Sequence, residues 1–185
     1  MVCGRPRKAR WRGISPRKSR RCKAGQATRT QYGALPYRFA ENGSIEFLLV
    51  TTRRSQRWII PKGWPIKGLK PPKSAAREAF EEAGIRGTVG AKAIGSFRYE
   101  KVLIESGLTV PCEVRVFPLL VKRQLETWPE AHERKLRWLE PERALAVVKN
   151  EELRELMSLF VDRIAEQKKP RVKRSQHVAP HRRRR

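Results

Sequence analysis

Three glutamates near the middle of the chain, Glu78, Glu81 and Glu82, stand three and four residues apart. On a helix such residues share a face, so their carboxylates can converge. Like charges at this spacing weaken an isolated helix and invite a counter-charge. Hard divalent cations prefer oxygen ligands, and Mg²⁺ usually takes one or two carboxylates together with phosphate oxygens and water. Gly63 precedes the glutamates, and a residue without Cβ lets the backbone approach a ligand and offer an unhindered carbonyl. An Arg-Glu-x-x-Glu-Glu string taken alone is usually a solvated helix face. The surrounding spacing has to decide.

The elements that must position these groups are legible in part. Residues Lys73–Ala83 favour a helix, with four alanines, three glutamates and no internal Gly or Pro, and Gly84 stands as its stop. Tyr32–Phe39 and Ile45–Thr52 flank the turn signal Glu41-Asn42-Gly43-Ser44 and predict a hairpin. Trp58-Ile59-Ile60 reads as a short strand stopped by Pro61. Thr88–Tyr99 and Val110–Val121 read as two more β stretches around a Ser106-Gly107 turn. Leu153, Leu156, Met157, Phe160, Val161 and Ile164 form one apolar stripe, a helix facing a core. Strands in runs, without strict βαβ alternation, predict an α+β fold.

The 185 residues are about one domain's worth, and 39% hydrophobic residues are enough for a core. No apolar run approaches the roughly 20 residues that cross a bilayer, which excludes an integral membrane protein of the helical kind. Three scattered cysteines, Cys3, Cys22 and Cys112, make neither a disulfide framework nor a zinc site, so a reduced, cytoplasmic protein is expected. The formal charge is +25, from 43 Lys and Arg against 18 Asp and Glu. Residues 1–29 hold eleven of those cations and residues 168–185 nine, with no acid in either. Both segments are expected to be disordered basic arms around a domain at 30–167, able to bind nucleic acid or another polyanion non-specifically. Neither arm carries a nucleic-acid reader motif.

The spacing from Gly63 to Ile85 resembles the Nudix box, G-x5-E-x7-R-E-U-x-E-E-x-G-U, where U is a bulky aliphatic residue. Gly63, Arg77, Glu78, Glu81, Glu82, Gly84 and Ile85 are all in register. Two positions depart: Leu69 stands where the family has its first Glu, and Ala79 where a larger aliphatic is usual. The resemblance implies an α/β/α sandwich around a mixed β-sheet, and hydrolysis of a phosphoanhydride with Mg²⁺ or Mn²⁺. It makes Glu78, Glu81 and Glu82 the metal-binding and catalytic carboxylates, one of them a possible base, and adds the Gly63 carbonyl as a ligand. Arg77 would brace the box. In the family the first Glu supports that Arg, so Leu69 questions the support around the metal rather than the three carboxylates.

Gln31–Arg38, Leu48–Arg53 and Arg57–Pro65 look like the diphosphoinositol polyphosphate phosphohydrolase branch, which cleaves diphosphates on inositol polyphosphates and often dinucleoside polyphosphates. Between Glu46 and Glu78 the chain has eight cations and no acid. If that stretch adjoins the metal site, as in the family, it forms a positive mouth suited to a polyphosphorylated small molecule. Arg53, Arg57, Lys62 and Lys67 are the expected phosphate contacts. Glu130 and Glu133 are candidates for a further carboxylate outside the box. Two other functions stay open: a catalytically silent module that binds polyanions, and a cleaner of damaged nucleoside triphosphates. The second needs a base-stacking pocket, for which Trp64, Trp138 and Phe97 are the available rings.

Overall fold

A computed structural model of the chain describes residues 27–103 and 107–168. The expectations for residues 1–26 and 169–185, and for Ser106 in the second turn, lie outside these. Among the described residues the order is β1 (Arg29–Phe39), β2 (Ile45–Thr51), β3 (Trp58–Ile59), β4 (Lys62–Gly63), α1 (Pro71–Ala83), β5 (Ile85–Val89), β6 (Gly95–Val102), β7 (Thr109–Gln124), β8 (Leu136–Leu139), α2 (Pro141–Val147) and α3 (Glu151–Lys168). Among the described residues the helices and strands run from Arg29 to Lys168, and so include one residue of each expected arm.

The eight strands form a single mixed sheet with the path β3-β2-β1-β7-β5, to which β4 adds on β1, β6 on β7 and β8 on β2. β1 and β2 make the expected hairpin, and the Ala40–Ser44 turn closes with a backbone bond of 2.9 Å. β1 also runs parallel to β7, from Arg29 beside Cys112 to Tyr37 beside Leu120. The other pairings are antiparallel.

Strand side chains alternate between faces, and this sheet buries both. On one face Leu35, Phe47, Leu49, Phe97, Val114 and Val116 pack with Ala144, Leu153, Met157 and Phe160 of α2 and α3. On the other, Ala34, Leu48, Val50, Phe117 and Leu119 pack with Ala75, Ala79 and Ala83 of α1. The result is the α/β/α sandwich expected. No helix among the described residues is long and apolar enough to cross a membrane.

The alanines explain the small residue at position 79. Spaced four apart, all three are fully buried, so α1 lies close against the sheet and a larger side chain there would overpack it. α1 begins two residues earlier than expected, because Pro71 and Pro72 occupy its first turn, where a missing N–H costs nothing. It ends as predicted at Gly84, whose φ of 67° is left-handed. A Cβ at that position would also meet the Trp128 ring at 2.6 Å. The loop after β7 therefore seats directly on the end of α1, with Leu125 N–H donating to Gly84 O and Glu130 N–H to Glu81 O.

Candidate active site

The short strand β4 brings the glycine to the glutamates. Gly63 pairs with Tyr32 and Lys62 with Gly33, which fixes this segment to the sheet edge beneath α1. The Glu78 carboxylate sits directly against Gly63, so that a Cβ there would collide with it. Among the described residues no hydrogen bond or ion pair reaches that carboxylate. Burial, and then the neighbouring charges of Glu82, Glu81 and Glu130, push its pKa up to about 7.

The other two glutamates are engaged. Glu82 is 5% exposed, and it accepts from the Lys62 N–H at 3.3 Å and from Arg134 Nη2 at 2.5 Å. Burial raises its pKa, while Arg134 and Lys62 pull against the rise. Glu81 accepts from Arg77 Nε at 2.5 Å, an i,i+4 pair on the helix surface. Arg77 thus finds a brace within the helix, where Leu69, 44% exposed, offers none.

Arg134 is the residue that sequence reasoning left without a role. Its guanidinium joins Glu82 to Glu130, through Nε at 2.9 Å, and to Thr51 O, through Nη1 at 3.0 Å. Glu130 also accepts from Arg53 Nη2 at 2.5 Å, and Arg53 Nε pairs with Glu133. The two candidate carboxylates outside the box are therefore at the site, held in a chain of ion pairs that ends on Glu82. The four-residue spacing of Glu130 and Arg134 was the one available signal for it.

The expected phosphate contacts divide. Arg53 faces Glu130 and Glu133, with its side chain half exposed. Arg57 and Lys67 are exposed. Lys62 lies inward, its Nζ 4.9 Å from the Tyr99 ring centre. Burial lowers its pKa, helped by the nearby charges of Lys101 and Arg134 and opposed by Glu82. Of the rings proposed for base stacking, Phe97 is fully buried in the core. Arg38 covers Trp138 at 4.0 Å, and Lys101 lies over Trp64 at 4.7 Å.

Among the described residues no three His, Cys, Asp or Glu side chains converge into a ready metal cage. Glu81 and Glu82 turn to arginines instead. The donors still fit Mg²⁺ or Mn²⁺. Such ions are commonly held by one or two carboxylates and completed by substrate oxygens, and Glu78 is a crowded, unpaired carboxylate against a bare backbone. An added cation would relieve the repulsion that raises its pKa.

This packing makes Gly63 exacting. Gly63→Ala displaces the Glu78 carboxylate, and a shift of about 1 Å at a reacting centre can lower turnover about 100-fold. The thermal midpoint should change much less than kcat, which steady-state kinetics beside thermal melts would check.

The family model described as the NUDIX domain matches residues 29–160. Nudix hydrolase 21, chloroplastic, of Arabidopsis thaliana is 32% identical over 138 residues, covering 71% of this chain and 65% of that protein. Diphosphoinositol polyphosphate phosphohydrolase 3-beta of Bos taurus is 34% identical over 113 residues, covering 60% of this chain and 64% of its own length. The chain thus spans just under two thirds of these curated relatives. In structure it resembles a C. elegans Ap4A hydrolase binary complex, with a TM-score of 0.60 and 24% identity over 75% of this chain and 99% of that one.

Proposed function

The chain belongs to the NUDIX family, and on that premise we propose that it hydrolyses a phosphoanhydride bond in a polyphosphorylated small molecule, with Mg²⁺ or Mn²⁺. The observation that carries this reading is the unpaired Glu78 carboxylate against Gly63, one helical turn from the buried Glu82. A diphosphoinositol polyphosphate or a dinucleoside polyphosphate is the substrate class that suits the run of cations between Arg53 and Lys73.

In this reaction a water oxygen bonds to phosphorus, the bridging P–O bond breaks, and the water's proton passes to a nearby base. A bound divalent ion supplies charge neutralisation on the phosphate oxygens and a more acidic water. Glu78 and the Gly63 carbonyl would hold it, with Glu82 beside them. Arg134 favours the ionised form of Glu82 against the effect of burial, and orients it. Arg77 orients Glu81. Arg57, Lys62 and Lys67 draw the polyanion in, while Arg53 pairs with Glu130 and Glu133.

A second reading is favoured by Leu69 and by the engagement of Glu81 and Glu82 with arginines. In it the domain binds polyanions without turning them over. The nucleotide-cleaning alternative is weakened, because its stacking rings are buried or already covered by cations. One experiment separates all three: phosphate release by the full chain, with Mg²⁺, with Mn²⁺ and with EDTA. The panel holds diphosphoinositol polyphosphates, dinucleoside polyphosphates and oxidised nucleoside triphosphates. Turnover of the first two that EDTA abolishes is expected. Absence of turnover on every substrate overturns the hydrolase reading.

A further inference from the structure

A cavity of about 500 Å³ opens at the start of α1, on the α1-facing side of the sheet, and none of Gly63, Glu78, Glu81 or Glu82 lines it. Its size is within the roughly 300–1,000 Å³ of small-molecule sites. Phe117, 2% exposed, forms the floor. Pro71 and Pro72 make one wall, and Ala91 and Ala93, in the turn between β5 and β6, make the other. Lys70, Lys92 and Arg115 stand at the rim, all three exposed. We propose that this cavity is a second ligand site, separate from the hydrolytic centre. Its ligand is a phosphate monoester with a flat apolar body, the class of a nucleoside monophosphate.

Charge and shape both point to that class. Among the described residues no hydrogen bond or ion pair engages the side chains of Lys70, Lys92 or Arg115. The chain around them has no acid to offer, since residues 63–77, 83–99 and 114–124 contain none. Glu113, the one acid on β7, already accepts from the Ser96 hydroxyl at 2.8 Å. The first turn of α1 holds no acidic side chain either, so nothing there offsets the positive end of the helix dipole. Three unengaged cations complement a phosphate dianion. Inorganic phosphate would use the rim and leave the apolar floor wet, whereas an uncharged ring would use the floor and leave the rim. A ring that carries a phosphate uses both.

Backbone bonds set the two walls. Gly90 N–H donates to Pro118 O and Ile94 N–H to Val116 O, both at 2.8 Å, which pins the turn to β7 at each end. On the other side the buried Ser74 hydroxyl accepts from Ile66 N–H at 2.8 Å and fixes the approach to α1. The cavity is thus formed before a ligand arrives, which lowers the ordering cost of binding.

The test titrates the full chain in EDTA with adenosine 5′-monophosphate, which has no anhydride bond to cut, and follows backbone amide chemical shifts. Shifts are expected at Lys70, Lys73, Ala91, Lys92, Arg115 and Phe117, with inorganic phosphate and adenosine each binding at least about 10-fold more weakly. Arg115→Gln should weaken the nucleotide about 10-fold, the loss of one charge-assisted contact. Ala91→Trp, which fills the slot and keeps every charge, should weaken it at least as much. Lys149→Gln, on the opposite side of the sheet, should leave the affinity unchanged. Thermal melts establish that the variants are folded, and both cavity positions are exposed. Shifts confined to other residues, wild-type affinity in Ala91→Trp, or inorganic phosphate binding as tightly as the nucleotide would overturn the site. The ligand is not the substrate, so a failed substrate panel leaves this inference standing.

Discussion

Glu78→Gln is expected to lower kcat by at least about 100-fold while making the metal-free protein more resistant to heat. Both effects have one origin. Glu78 is the box carboxylate that no hydrogen bond or ion pair among the described residues engages, so it is open to a cation. It is also crowded by Glu82, Glu81 and Glu130, which with burial raises its pKa from 4.5 to about 7. A carboxyl group whose pKa is higher folded than unfolded binds more protons in the native state. Its stabilising contribution is full below about pH 4.5, declines as pH rises toward 7, and is absent above. Raised by burial, Glu82 tilts stability in the same direction. Gln at position 78 removes the Glu78 share of that slope. Thermal melts in EDTA at pH 5 and pH 8 should therefore show the variant gaining most at pH 8. A variant with wild-type turnover, or one less stable at pH 8, would contradict the assignment.

Arg134→Met should be the most destabilising single change in the site, by about 3–5 kcal/mol, because it leaves the buried Glu82 without its partner guanidinium. The same substitution also frees Glu130 and the Thr51 carbonyl. In a Glu82→Gln background the loss should shrink, since no buried charge is then orphaned. Denaturant melts of the two single variants and the double variant measure that coupling. Arg53→Met makes a useful contrast. Its ion pairs are half exposed, and pairs of that kind contribute about 0–1 kcal/mol. Equal costs for Arg134→Met and Arg53→Met would refute the argument from burial.

Local chemistry made much of this architecture readable. The Asn42-Gly43 turn announced the β1–β2 hairpin, and an alanine- and glutamate-rich run closed by Gly84 announced α1. The apolar stripe from Leu153 to Ile164 announced α3. Each signal acts between residues a few positions apart. The box glutamates were legible for the same reason, since their spacing is that of one helix. What the sequence hid is what depends on distant partners. A two-residue strand such as Lys62–Gly63 has no periodicity to read, yet it seats Glu78. The parallel pairing of β1 with β7 leaves no local trace. Arg134 reaches Glu82 across 52 positions and Thr51 across 83, and nothing in either neighbourhood points to the other. Arg53 looked like a free cation until Glu130 and Glu133 were folded against it.

The parallel ladder between β1 and β7 also bears on how the protein is made. Chains are synthesised from the N-terminus and domains fold as units, while contacts between distant segments form slowly. α1 and its carboxylates leave the ribosome well before Cys112, the first residue to pair with Arg29, and earlier still than Arg134. Until then β1 has an unpaired edge and Glu82 has no guanidinium. A nascent chain ending between α1 and the loop that follows β7 should carry the whole glutamate motif and still lack the site. Competence would arrive late and in one step, when the last third of the domain closes over the first.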